Sequence, residues 1–445
     1  MLKKTKKILL IIAGLALLIF VFAPAPQKPS DGKQHIRYWS VSGIKEEIPL
    51  SVRKFNSMQD SVVVDWTPLP FMEHEKKVLT AILSGDPPDV IGMISPVAGW
   101  SSRRALVMLD DVVKRDNFDS TKFFPALWQE VKFNNHVFAL PSHSSSYAFF
   151  YNKDMFKEAG LNPNKPPATW DEVKQYSKKI AKRNELGNIT QIGFIPHYGN
   201  VQTSILIAFQ LGVNYFKEDG KTINLANPEL IKAVNWEVDF INDYGLSDLA
   251  AFMAGFGYAN LHGFNSGKVA MMVLDNSFVD QIERYAEKLN FGIASIPAFE
   301  NSETASMAGC WWLAIPRGAK YKNAAWDFMK FATSKDLQLS EAESMDEMLY
   351  PANRFAAGDS IYLNSVKGGE IFYSQMDFAY SPTIVPMAHG VFWREFSMAR
   401  ERVMHNVQST EEALKQAEKV IQAELDKAIS YEEYVNTQME YPKVQ

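Results

Sequence analysis

Three short apolar runs rich in β-branched residues, separated by helix-like segments, fill His35 to Ile94 and narrow the folds open to this chain. His35–Val41 (HIRYWSV) reads as a strand with Ile36 and Tyr38 on one face, Ser61–Thr67 (SVVVDWT) as a second, and Asp89–Ile94 (DVIGMI) as a third. Between the first two, Lys45 to Met58 has helical spacing that Pro49 interrupts. From Glu73 to Leu83 the spacing sets Val78, Leu79, Ile82 and Leu83 on one helical face, and Gly85 with Pro87 and Pro88 ends it. Strand, helix, strand, helix, strand requires right-handed crossovers and predicts a largely parallel sheet covered by helices.

The alternation continues down the chain. In HVFALPSHSSSYAFFYNKDMFKEAGL, His136 to Leu161, the apolar positions Val137, Ala139, then Tyr147, Phe149 and Tyr151 predict two extended segments around a Ser-rich middle, running into a helix at Lys153. Thr169 with Glu172, and Ser409 with Glu412, have capping-box spacing; Val173, Tyr176 and Ile180 form the stripe of the first helix, and Leu414, Ala417, Ile421, Leu425 and Ala428 that of the second. Strand-like Gly267–Leu274, Phe291–Ile296 and Trp311–Ile315 and a helix near Asn323–Ala332 lie between them. A chain of 445 residues exceeds one ordinary core, so two or more lobes are expected.

Lys3, Lys4, Lys6 and Lys7 precede an apolar run from Ile8 to Ala23, with Pro24, Pro26 and Pro29 beyond it, the pattern of an export signal. Proline follows the small-residue cleavage points at Ala23 and Ala25, so residues 1–30 read either as a cleaved signal peptide or as a membrane anchor through residues 8–23 with its linker. The only cysteine, Cys310, reads as a buried small residue, and no lipid-attachment cysteine follows the apolar run. Residues 1–30 hold five lysines and no acid, which leaves −10 on the remainder. That acidic balance points away from nucleic acid and from a polyanionic ligand.

Catalytic patterns are missing. The chain has no Walker motif, dinucleotide fingerprint, Gly-x-Ser-x-Gly elbow or His-Glu-x-x-His pair, and its eight histidines are scattered. Adjacent carboxylates such as Glu46-Glu47 and Asp110-Asp111 point different ways and make no acid/base pair. No catalytic residue, metal or cofactor is expected. A secreted carbohydrate-active enzyme would need two facing carboxylates, which no pattern here indicates.

Several motifs, in order, resemble the bacterial extracellular solute-binding proteins that deliver sugars to ABC importers. YWS at Tyr38 is similar to that family's first strand and loop, SGDPPDV from Ser84 to its helix-ending turn, and FNNHVFALP to the hairpin before the first interlobe crossing, with Asn134-Asn135 at the turn. YNKDMFKEAGL with TWDEV is the most specific pair, and GKVAMM, AGCWWLAIP, AAWDFMKFATS and EEALKQAEKVIQAEL continue the series. Two stretches depart from it: Gly309 precedes Cys310, Trp311 and Trp312 where the family often has Gly-Gly, and Asn276-Ser277-Phe278 stands where Gly-Pro-Trp is usual. The substrate is therefore not copied from any relative.

The resemblance implies an α/β, two-lobed, type II periplasmic-binding-protein-like fold, each lobe a mainly parallel sheet flanked by helices, with a hinge of several crossing segments. It divides the chain into residues 31–144 with 290–345 and residues 145–289 with 346–445. A carbohydrate, as an oligosaccharide, would lie in the cleft at the carboxyl ends of strands. Trp39 and Ser40 at the end of the first strand read as a stacking platform with a hydroxyl, or as a core Trp capping the sheet; Ser95 and Pro96 end the third strand. Ser145 and Tyr147 lie in the hinge strand, Asp275 and Asn276 close the Ala-Met strand, and adjacent Trp311 and Trp312 must face opposite sides. Tyr198, Phe256, Tyr258 and Trp393 are second-lobe aromatics that serve as core or contact.

The partners expected are the sugar and the ABC permease subunits, with the chain exported and monomeric. A membrane-tethered sensor subunit and a binding protein for a polyamine or other non-sugar solute are the alternatives.

Overall fold

A computed structural model describes residues 32–42, 47–199, 201–344 and 349–444. The apolar run at 8–23 and the helical start expected at Lys45 lie outside these residues. Strand β1 (Gln34–Ser42) pairs in parallel with β2 (Val62–Pro70) on one side and β3 (Val90–Met93) on the other. Ile36, Tyr38, Val64 and Val90 pack on one face against Phe328 of helix Lys322–Ala332, while Leu69, Ile91 and Met93 face Val78, Ile82 and Trp100. Gly92 is required between strands, because a Cβ there would lie 2.8 Å from Ser40 Cβ and from the Tyr38 hydroxyl.

The intervening helices are Leu50–Met58 and His74–Leu83. Within the second, Val78 and Ile82 are buried, yet Leu83 is 80% exposed. It falls beside the stripe that Val78 and Ile82 define. Asn134 and Asn135 both adopt left-handed backbone (φ 48° and 65°) and join Lys132–Phe133 to His136–Val137, as expected of a tight hairpin turn.

The stretch expected as two segments is one strand, β4 (Ala139–Asn152). Its serines fill the gap by bonding inward: Ser144 Oγ donates to Gly309 O at 2.7 Å, and Ser146 Oγ to Phe372 O at 2.8 Å. With their hydroxyls satisfied, Ser144 and Ser146 can be buried in an extended strand. The second half of β4 lies between β5 (Met271–Asp275) and β6 (Phe291–Ala294), and its first half pairs with β7 (Ser306–Ala314). β8 (Tyr350–Pro351) adds a third crossing against Ser144 and His143. The path β6-β4-β7-β3-β1-β2 joins both lobes. Parallel pairing thus applies to β1–β3, whereas the crossing strands pair antiparallel because they pass the hinge in opposite directions.

Strand pairing around residue 290 is with the second half of β4. β6 pairs with residues 149–152 of β4, and β7 then pairs with residues 139–146 of the same strand. Helix Thr410–Gln438 starts at the expected box, with Ser409 and Glu412 capping reciprocally. At Thr169 only half of the box forms: its hydroxyl accepts from Glu172 N, but the Glu172 carboxylate takes the Ala168 amide at 2.6 Å.

Candidate functional site

Register decides which side chains meet between the lobes. Across β4 and β7, Ser145 lies opposite Gly309 and His143 opposite Trp311; across β4 and β5, Tyr147 lies opposite Asp275. Residues two apart share a face, so these six share one, and all six are half-buried. The opposite face, carrying Ser144, Ser146, Ala308 and Cys310, is buried under helices Pro125–Glu130 and Gly369–Gln375. The half-open face is therefore the candidate floor of a cleft between the lobes.

The floor is polar and carries one carboxylate, Asp275. The Gly309 amide donates to Ser145 Oγ at 3.3 Å, and glycine keeps the space above that hydroxyl clear. Burial pushes the Tyr147 phenol up to about 12, with the neighbouring Asp275 carboxylate adding to it and the Ser145 hydrogen bond opposing. Tyr147 therefore stays protonated, a hydrogen-bond donor across the physiological range. Asp275 Oδ1 accepts from Ser277 N at 2.9 Å and from the Ser277 hydroxyl, which fixes the start of helix Phe278–Tyr285. Asn276, 5% exposed, turns inward and bonds the Ser146 backbone.

The two tryptophans part company at an irregularity in the β7 register. Trp311 is half-buried on the floor, whereas Trp312 is 1% exposed, donates to Ser95 O at 2.8 Å and meets Trp100 edge-on. Trp100 Nε1 donates to Ser95 Oγ at 2.8 Å, so both oxygens of Ser95 hold indoles in place. Ser40 Oγ likewise accepts from Trp66 Nε1 at 2.9 Å. Trp39 is half-buried against the core, and Pro96 leads into helix Val97–Ser101. Ser40, Ser95 and Trp312 therefore sit in the packing of the first lobe, while Ser145, Tyr147, Asp275 and Trp311 come together.

The second lobe gathers an aromatic cluster near the end of β5. Tyr198 packs on Phe256 (5.1 Å between centroids) and stacks on His262 (5.2 Å, 27°), which in turn meets Phe278 at 4.6 Å. The Tyr198 hydroxyl accepts from Gly263 N at 3.1 Å. Burial lowers the His262 imidazole to about 4, leaving it neutral at ordinary pH. Tyr258 stands apart, 65% exposed, against Tyr285. Trp393 Nε1 donates to Pro382 O at 3.3 Å.

His262 and His143 escaped the sequence reading. A lone histidine, in a loop as His262 or in a strand as His143, carries no periodic pattern, and the pairing of His143 Nε2 with Glu341 Oε2 at 3.1 Å spans 198 positions.

Two α/β lobes joined by antiparallel crossing strands, with a polar and aromatic floor between them, define the type II periplasmic-binding-protein architecture. The chain belongs to the bacterial extracellular solute-binding protein family, whose model matches residues 44–339. Among curated relatives, a putative binding protein of Brucella abortus is 27% identical over 251 residues, 56% of this chain and 58% of its own length. The match thus spans little more than half of that relative. The arabinooligosaccharide-binding protein of Bacillus subtilis is 23% identical over 337 residues, 72% of this chain and 75% of that one. The solved structure of the sugar-binding protein MalE from Xanthomonas citri superposes with a TM-score of 0.75 at 18% identity, covering 92% of this chain and all of that one.

Proposed function

We propose that this exported protein captures a carbohydrate, in oligosaccharide form, in the cleft between its lobes and hands it to the permease subunits of an ABC importer. One observation carries the reading: hydroxyl, phenol, carboxylate and indole of Ser145, Tyr147, Asp275 and Trp311 share one half-open face where the chain crosses between lobes. A pyranose presents apolar ring faces to an indole and a rim of hydroxyls to such polar groups. Membership of the solute-binding family supports it, as do relatives named for arabinooligosaccharide and sugar binding.

Binding requires no covalent step. Contacts from both lobes favour a closed arrangement, and a permease that recognises the closed shape reads occupancy. The indole of Trp311 beside the Tyr147 phenol and the Ser145 hydroxyl suits the apolar faces and hydroxyl rim of a sugar ring better than the extended chain of a polyamine. We read the chain as a monomer whose lobes turn about β4, β7 and β8.

A bound ligand stabilises by mass action, about 2.7 kcal/mol at a hundredfold excess over Kd. A panel of oligosaccharides, monosaccharides and polyamines in a thermal-shift assay tests the reading. A rise in Tm with a particular oligosaccharide supports it; no response to any sugar together with a rise on a polyamine overturns it.

A further inference from the structure

Helix Thr410–Gln438 is attached to both lobes at once. It has 29 residues, about 43 Å of rigid rod at 1.5 Å per residue. Its first half is bound to the second lobe: Glu418 accepts from the Leu225 amide at 3.0 Å, Gln422 from the Ile223 amide at 2.7 Å, and Thr410 bonds Asn235. The preceding helix, His389–Met404, is fixed to the same lobe by a buried ion pair between Arg400 and Glu237.

The far end is bound to the first lobe. Glu432 accepts from Asn134 Nδ2 at 3.2 Å, with the Arg104 guanidinium at 3.9 Å. Arg104, 1% exposed, lies 3.6 Å over the ring of Tyr441, which packs on Phe138 at 5.0 Å. Beyond the helix the chain runs beside Met108, whose amide donates to Pro442 O at 2.7 Å, and Val444 enters the core of the first lobe with Val107, Leu109 and Val137. Residues 432–444 thus pack with residues 104–138 as well as with their own helix.

We propose that residues 432–444 are a clasp that limits rotation between the lobes, a conformational restraint separate from the hinge strands. A stiff rod anchored at both ends cannot follow a rotation about β4, β7 and β8 unless one anchor gives way or slides. The first-lobe anchor is the weaker, since a few residues and one carboxylate hold it, while two packed helices and a buried ion pair hold the other. This rests on the reading of the chain as a receptor whose lobes move.

The test measures interlobe distance with no sugar present, so a failure of the carbohydrate reading leaves it intact. Spin labels go on Ser57→Cys in the first lobe and Glu218→Cys in the second; the native Cys310 is buried and does not compete. Pulsed electron–electron resonance then compares the native chain, a chain stopped after Gln438, and the double variant Glu432→Gln with Tyr441→Ala. Release of the clasp broadens the distance distribution in both variants. If the truncated chain does not fold, the double variant decides. A distribution as narrow as the native one in the folded variants overturns the proposal.

Discussion

Asn276 and Ser146 are locked together by reciprocal hydrogen bonds, the Ser146 amide donating to Asn276 Oδ1 at 3.1 Å and the Asn276 amide to Ser146 O at 3.0 Å. This pair ties the loop after β5 to the middle of the hinge strand and so sets where Asp275 sits. Asn276→Ala leaves the buried Ser146 amide without its side-chain acceptor, at a cost of about 1–3 kcal/mol. Urea denaturation should show that loss, and sugar affinity should fall with it because Asp275 is displaced. Unchanged stability would remove Asn276 from the scaffold of the floor.

Arg400 and Glu237 form an ion pair with 6% and 1% exposure between helices His389–Met404 and Pro228–Asn242. Breaking it from one side strands a charge in the interior. Glu237→Ala is expected to cost about 3–5 kcal/mol, while replacing both partners by apolar residues of similar size costs far less. Denaturant unfolding of the single and double variants checks this, and equal losses in the two would contradict it.

Adjacent indoles make a sharper test of the cleft. Trp312→Ala empties a packed site beneath the floor and should cost about 3–5 kcal/mol of stability. Trp311→Ala should leave Tm nearly unchanged and weaken oligosaccharide binding about tenfold, or ~1.4 kcal/mol. Calorimetric titration of both variants separates the roles. If Trp311→Ala binds sugar as tightly as the native chain, the face holding Ser145 and Tyr147 is not the ligand face.

These cases show where sequence was readable. Local chemistry was: the Asn134-Asn135 turn, the Ser409 box and the β-branched strands all follow from neighbours in the chain. The facing of Trp311 and Trp312 was legible only as opposition, since which indole goes inward depends on Ser95, 217 positions away from Trp312. The same limit applies to the hydroxyls of Ser40 and Ser95, which suit a sugar by type and are taken up by Trp66 and Trp100 in the fold. Nothing in the apolar stripe from Leu414 to Leu425 tells that the far end of that helix crosses to the other lobe. Its anchors, Glu432 and Tyr441, bond to residues some 300 positions earlier.

The aromatic cluster of the second lobe predicts a pH dependence with a definite sign. His262 stacks on Tyr198 and meets Phe278, and burial there lowers its pKa from the usual 6.5 to about 4. In the unfolded chain the imidazole takes a proton near its ordinary value, so between those two pH values the unfolded state binds more protons than the folded one. The contribution of the buried neutral ring is therefore fully present above about 6.5 and is lost as pH falls toward 4. His197 and His389 are lowered by burial too and act in the same direction. His262→Phe keeps an aromatic ring in the stack and removes the titration. Tm measured from pH 7 to pH 5 should therefore fall less steeply in His262→Phe than in the native protein, and identical slopes would show that His262 is not protonated on unfolding in that window.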